Sequence, residues 1–214
     1  MPVRNRVDPF GALIETPARG AWYGNRGCLH DRHGRITGRK PPTDIWIICL
    51  LKFKNRRRTL LQPGRFTELF FLDEATGLAA GHRPCGECRL ADLRRCGAAW
   101  PGRWPRGYAL AREIDPTLRL ERIARLHPAR RQWLDPDRPP ADGVMFAREA
   151  DPGRAVLAAR GKLWGWTPFG YEGPLPWDRP EQAALLTPPS TAQAIANGYR
   201  PQIHPSALGD AALG

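Results

Sequence analysis

Hydrophobic positions in this chain fall into short, separate runs rather than one long periodic stretch. Residues 1–44 are rich in Gly, Pro and Arg and show little apolar periodicity. The first strong run is Ile45-Trp46-Ile47-Ile48-Cys49-Leu50-Leu51-Lys52-Phe53. It predicts a strand buried on both faces at first and on one face later. Asn55 and Arg56 then turn the chain, Arg58-Thr59-Leu60-Leu61-Gln62 returns as a hairpin partner, and Pro63-Gly64 ends it.

Helical signals follow. Asp73 is a good N-cap, and Glu74 puts negative charge in the first turn of a short helix over Ala75–Ala80, which Gly77 weakens. Gly81 suits the left-handed end of that helix and Pro84 blocks its continuation. A second helix runs from Glu87 or Cys88 to about Ala99. Leu118 to Leu126 reads as an amphipathic helix, with Leu118, Ile123 and Leu126 on or near one face and Glu121 paired with Arg125 at i,i+4.

Asp135 to Asp142, with Pro136, Pro139 and Pro140, has linker composition. Beyond it, Val144–Arg148, Ala155–Ala159 and Lys162–Thr167 form an antiparallel meander. The tail repeats an earlier unit. Ala192-Gln193-Ala194-Ile195-Ala196-Asn197-Gly198-Tyr199-Arg200-Pro201 parallels Ala75-Thr76-Gly77-Leu78-Ala79-Ala80-Gly81-His82-Arg83-Pro84, with Ser190 as its N-cap. An arginine after each glycine is placed to satisfy carbonyls at its helix end. The expected fold is α+β: a β-hairpin packed on short helices around a metal site, then a small antiparallel meander and a C-terminal helix. The boundaries are a basic region at 1–134, a linker at 135–142 and the meander with its helix at 143–214.

The chemistry concentrates at Gly81-His82-Arg83-Pro84-Cys85-Gly86-Glu87-Cys88. Two thiolates separated by two residues can share one tetrahedral zinc, and a helix N-terminus favours thiolate. We read Cys85 and Cys88 as half of a zinc site. A redox-active dithiol and two cysteines with no shared chemistry are the competing readings. Cys96 lies two turns down the second helix and reads as core.

The stretch FFLDEATGLAAGHRPCGEC resembles the second half of the zinc-binding module of Ada-type DNA methylphosphotriester repair proteins, and small metal-binding modules attached to bacterial nucleases. Those modules run from a Phe-rich strand through an Ala-rich helix to a Gly-aromatic-Arg-Pro-Cys turn and a second cysteine three residues on. Phe70, Phe71, Ala75–Ala80, Gly81-His82-Arg83-Pro84, Cys85 and Cys88 fill those places. The match covers about 20 residues, and the resemblance implies that Cys85 and Cys88 hold Zn2+. Ada-type modules take their other two ligands from an upstream Cys-x-x-x-Cys pair, which this chain lacks. Its upstream candidates are Cys49, inside the strand, and His30, with Cys28 and His33 nearby. The chain as a whole also resembles an uncharacterised bacterial family, which carries no activity over.

Charge adds a partner. The formal net charge is +12, spread as +9 over residues 1–60, +4 over 61–140 and −1 over 141–214. A basic front suggests a face that meets DNA or RNA, although arginine-rich GC-biased coding gives the same pattern. The phosphate-contact candidates are Arg26, Arg83 and the hairpin tip with Lys52, Lys54, Arg56, Arg57 and Arg58. Trp22 and Tyr23 beside Arg26 are either a stacking platform or core, and core is the preferred reading. No Walker A loop, nucleophile elbow or His-Glu-x-x-His is present. The lack of His-x-Glu argues against a zinc deaminase.

The expected function is a zinc-binding protein that contacts nucleic acid through a basic face, in DNA repair or processing. One alternative is a metal-dependent enzyme, with Cys49 as thiolate alkyl acceptor or with a nuclease site; the other is a structural protein-interaction module. The longest apolar run, Ile45 to Leu51, falls well short of the ~18–20 residues of a membrane span. No apolar leader is visible at the N-terminus, and cysteines clustered as Cys-x-x-Cys suit a reducing cytoplasm.

Overall fold

A computed structural model describes residues 3–37, 43–56, 59–135, 137–176 and 182–208. Two sheets and four helices make it mixed α+β. The first sheet collects six short strands: β1 (Arg6–Val7), β2 (Leu13–Ile14), β3 (Trp22–Asn25), β4 (Ile47–Cys49), β5 (Leu69–Phe71) and β6 (Arg83–Pro84), in the order β2-β1-β5-β3-β4-β6. The second is antiparallel throughout: β7 (Met145–Arg148), β8 (Asp151–Ala159), β9 (Lys162–Thr167), β10 (Gly170–Leu175) and β11 (Ala183–Leu185), in the order β10-β9-β8-β7-β11. Its β8 starts at Asp151, four residues before the expected Ala155.

β4 does not pair with residues 59–62, the described part of the hairpin partner that the run of apolar residues predicts. One neighbour is β3, antiparallel with Tyr23 opposite Cys49, and the other is β6, parallel with Ile48 opposite Pro84. Residues 59–62 form no strand. Gly24 permits the pairing, because a Cβ there would lie 2.1 Å from the Ile47 carbonyl oxygen. Phe53 to Arg56 do turn the chain, with Lys54 and Asn55 left-handed at φ 49° and 51°. Arg57 and Arg58 lie outside the described residues.

The first helix, α1 (Glu74–Ala79), lies between the sheets and all six of its residues are buried. Its Ala and Leu side chains face the cores, and its buried polar residues Glu74 and Thr76 are hydrogen-bonded. Leu78 packs with Ile48, Phe71, Leu93, Ile114, Leu118 and Ile195 in one core; Ala75 and Ala79 pack with Met145, Leu157, Trp164 and Tyr171 in the other. Gly77, a weak helix former, sits where a Cβ would come within 2.7 Å of Ile48 Cδ1. The glycine lets α1 lie close on β4.

The other helices are α2 (Leu90–Ala99), α3 (Ala111–Arg125) and α4 (Pro189–Ala196). α3 begins well before the expected Leu118 and carries Pro116 inside it. Its Arg122 and Arg125 do not form an outer basic face. Arg122 donates to the carbonyls of Gly81 and Asp44, and Arg125 to those of Ala79, Leu186 and Phe10. Glu121 takes the Ser190 hydroxyl and N–H rather than Arg125, so Ser190 does not cap α4. Among the described residues no helix is long and apolar enough to cross a membrane.

Asp73 caps α1 through Thr76 N–H at 2.8 Å and also accepts from Tyr171 Oη and His204 N–H, each at 2.9 Å. Replacing Asp73 by Ala removes the cap and leaves buried donors unpaired, so Asp73→Ala is expected to destabilise the fold by about 3–5 kcal/mol. Urea unfolding of the purified variant measures this, and a loss under about 1 kcal/mol would contradict it.

Candidate metal centre

Three cysteines converge where β4, β6 and the start of α2 meet. Parallel pairing of β4 with β6 places Cys49 beside Cys85, whose N–H donates to the Ile48 carbonyl at 2.9 Å. The chain then turns through Gly86, Glu87, Cys88 and Arg89 before α2, which starts two or three residues later than a helix beginning at Glu87 or Cys88 would. The turn aims Cys88 back at the other two. The Sγ atoms of Cys49, Cys85 and Cys88 all lie within 4.8 Å of one another. Tetrahedral zinc with Zn–S bonds of about 2.3 Å requires S–S separations of about 3.8 Å. Small side-chain rotations close that difference.

Backbone N–H groups already point at two of the sulfurs. Glu87 N–H donates to Cys85 Sγ and Leu50 N–H to Cys88 Sγ, both at 3.4 Å. Such donors favour thiolate, the ligating form. Without a metal, hydrogen bonding from Cys49, helped by the N–H groups of Cys88 and Glu87, holds the Cys85 thiol down at about 5. Cys49 is pushed up by that same bond to Cys85 and by burial, and Cys88 is raised by burial. Cys85 is thus the member of the three most disposed to thiolate, and Cys49 and Cys88 the two disposed to keep their protons. Cys49 and Cys85 are buried and Cys88 is half-buried, so the centre is reached from the Cys88 side.

His30 does not join the three cysteines. It is buried, with Nδ1 2.7 Å from Thr67 Oγ1 and Nε2 3.1 Å from the Gln62 carbonyl oxygen, and it pins one loop to another. Among the described residues no fourth Cys, His, Asp or Glu belongs to the group. Cys28 contacts the His30 carbonyl, Asp31 holds its own turn through the N–H groups of His33 and Arg35, and Cys96 lies in the first core. His204 bonds Ser206.

The basic candidates divide. Arg83 is buried in a two-pronged ion pair with Asp115, both contacts at 2.8 Å. Arg26 is buried, donates to the Gly11 carbonyl and stacks on Trp46 at 4.6 Å; burial lowers it to about 10. Neither faces outward. Lys52, Lys54 and Arg56 are exposed on the segment that leaves β4, and Arg56 pairs with Glu87, next to Cys88. Tyr23 is buried against Cys49 and Cys85, while Trp22 donates to Gln202 and carries the Arg89 guanidinium 4.0 Å above its ring. Both aromatics are packing residues.

Sequence reasoning missed the clamp behind the centre. Arg89, next to Cys88, is buried and donates to Glu74 Oε1 at 2.8 Å and to Asp92 Oδ2 at 2.7 Å. Glu74 also accepts from Tyr199 Oη and Gln202 N–H. The signal available was an arginine abutting a ligand cysteine and an acid in the first turn of a buried helix.

No family model, curated protein or solved structure matches this chain.

With Cys85 lowered and Cys49 and Cys88 raised, adding Zn2+ to metal-free protein at pH 7 is expected to release about two protons per ion. Titration in weak buffer counts them, and release of three would show that Cys85 begins protonated.

Proposed function

We propose that this chain is a zinc-binding protein that contacts nucleic acid beside its metal centre. The observation that carries the reading is the convergence of Cys49, Cys85 and Cys88, with backbone N–H groups directed at Cys85 and Cys88. Thiolates in that arrangement select a soft or borderline ion such as Zn2+. The ion cross-links β4 to the turn before α2 and contributes directly to folding. The resemblance of residues 70–88 to Ada-type modules supports the same assignment for Cys85 and Cys88. Lys52, Lys54 and Arg56 form the outward basic surface nearest the metal and meet phosphates.

A second reading is enzymatic, and one observation favours it. Three protein ligands leave a coordination position for water or substrate. Among the described residues no backbone N–H bonds Cys49 Sγ, so Cys49 would keep more nucleophilic density than its two partners and would be the alkyl acceptor. A mass gain of one methyl on Cys49 after exposure to alkylated DNA supports this reading.

The purified protein is expected to carry one zinc per chain, lost in Cys85→Ser and in Cys49→Ser. Its nucleic-acid affinity is expected to fall with salt at a log–log slope of about −2 to −3, as three phosphate contacts imply. Metal analysis and a salt titration check both. Protein with no stoichiometric metal, or with no binding at low salt, ends the reading.

A further inference from the structure

The segment that carries the basic residues, and the stretch that leads into β5, also expose apolar ones. Leu51 is 46% exposed, Phe66 is 41% exposed, and the half-buried Phe53 lies between Lys52 and Lys54 in sequence. The Phe53–Arg56 turn closes with Arg56 N–H on the Phe53 carbonyl at 3.1 Å. It reaches that shape only with Lys54 and Asn55 left-handed, a conformation that side-chain-bearing residues seldom hold. The result is specific. Lys54 Nζ lies 5.1 Å and Arg56 Cζ 5.4 Å from the centre of the Phe53 ring.

Both phenyl groups are tied to the metal centre. Phe66 stands 6.5 Å from the ring of Tyr23, which packs on Cys49 and Cys85. Phe53 is held through Arg56, whose two Nη atoms meet the Glu87 carboxylate at 3.2 and 2.5 Å, one residue before Cys88. Leu50 N–H on Cys88 Sγ fixes the start of the same segment. Among the described residues no cation covers the Phe66 ring.

Charge alone does not account for this surface. A duplex turns its phosphates outward and keeps its base faces stacked inside, so cations match it and exposed phenyl rings do not. An unpaired strand offers phosphates and bare base faces together, and proteins that hold single strands combine cations with aromatic side chains. We propose that this surface takes single-stranded rather than duplex nucleic acid, with an unpaired base stacked on Phe66 and the backbone on Lys52 and Lys54. The proposal rests on the nucleic-acid reading above and narrows its substrate class.

The test is fluorescence anisotropy of the full-length, zinc-loaded protein with labelled oligonucleotides. A single strand and a hairpin duplex of equal length are compared, each as DNA and as RNA. The single strand is expected to bind about tenfold more tightly. Phe66→Ala lowers single-strand affinity about tenfold and leaves duplex affinity and the salt slope unchanged. Phe66→Leu keeps apolar bulk without the aromatic face and gives the same loss, which separates stacking from a folding defect. Lys52→Gln and Lys54→Gln weaken both substrates and each reduce the magnitude of the salt slope by about one. The DNA and RNA arms assign the sugar. Duplex binding as tight as single-strand binding, or a Phe66 effect equal on both, overturns the single-strand proposal and leaves the parent reading standing. Binding to neither overturns both.

Discussion

Two adjacent carboxylates at the start of α1 hold the molecule together. Asp73 and Glu74 are 0% and 2% exposed, and apart from the Thr76 contacts that cap the helix their side chains reach distant parts of the chain. Asp73 ties α1 to Tyr171 in the second sheet and to the backbone at His204. Glu74 ties it to Tyr199 and Gln202 after α4, and to Arg89 beside Cys88 of the cysteine cluster. Burial pushes Asp73 up from its usual value, and the hydrogen bonds from Thr76, His204 and Tyr171 offset part of that rise. Burial pulls Arg89 down, but Glu74, Tyr199 and Asp92 outweigh it and leave the guanidinium raised. Removing one partner of such a pair costs about 3–5 kcal/mol because the other charge is stranded. The cysteine cluster is thus held from behind by an ion pair whose acid also holds the C-terminal unit.

The other end of α1 is handled by arginines. Its last carbonyls receive Arg125 at Ala79 and Arg122 at Gly81, both reaching in from α3. The second copy of the helix-Gly-aromatic-Arg-Pro unit solves the same problem within itself: Arg200 donates to the Ile195 and Tyr199 carbonyls. In the first copy the equivalent Arg83 is diverted to Asp115 on α3. The copies meet through their flanking residues: Glu74, just before the first, donates its N–H to the Gln202 carbonyl, and Gln202, just after the second, donates its N–H to the Glu74 carboxylate. His82 occupies the aromatic position of the first copy and behaves as one. Its ring lies 4.8 Å from that of Phe71 and 5.0 Å from that of Trp46, and burial beside Arg26 and Arg122 keeps it neutral.

What the sequence made legible was local. The Asp73 cap, the Gly81 stop and the cysteine spacing are each written within a few residues, and the structure carries all three. Of the upstream candidates, Cys49 is the one that groups with Cys85 and Cys88. The neighbours of β4 were not legible, because sheet pairing is a long-range choice. An adjacent stretch with the right pattern at 58–62 looked like the cheaper partner, yet β3 and β6 take both edges. The start of α3 was hidden by Pro116, which propensity reads as a breaker but which the helix accommodates. His30 was a fair ligand candidate by type. Only the fold shows that both of its ring nitrogens are already spoken for.

Charge was the least legible feature, for a reason specific to arginine. A guanidinium has five donors and sheds water more readily than an ammonium, so it can be buried against carbonyls and rings where lysine cannot. Arg26, Arg83, Arg89 and Arg122 are all buried and committed to carbonyls, carboxylates or aromatic faces. The net charge of +12 therefore overstates the positive surface available to a partner. Lysine is the better guide in such a chain, because its position reports exposure. Of four lysines, two stand on the segment leading from Cys49, on either side of Phe53. The case for an anionic partner thus rests on where those two cations are held relative to the three cysteines, and not on the overall charge of the chain.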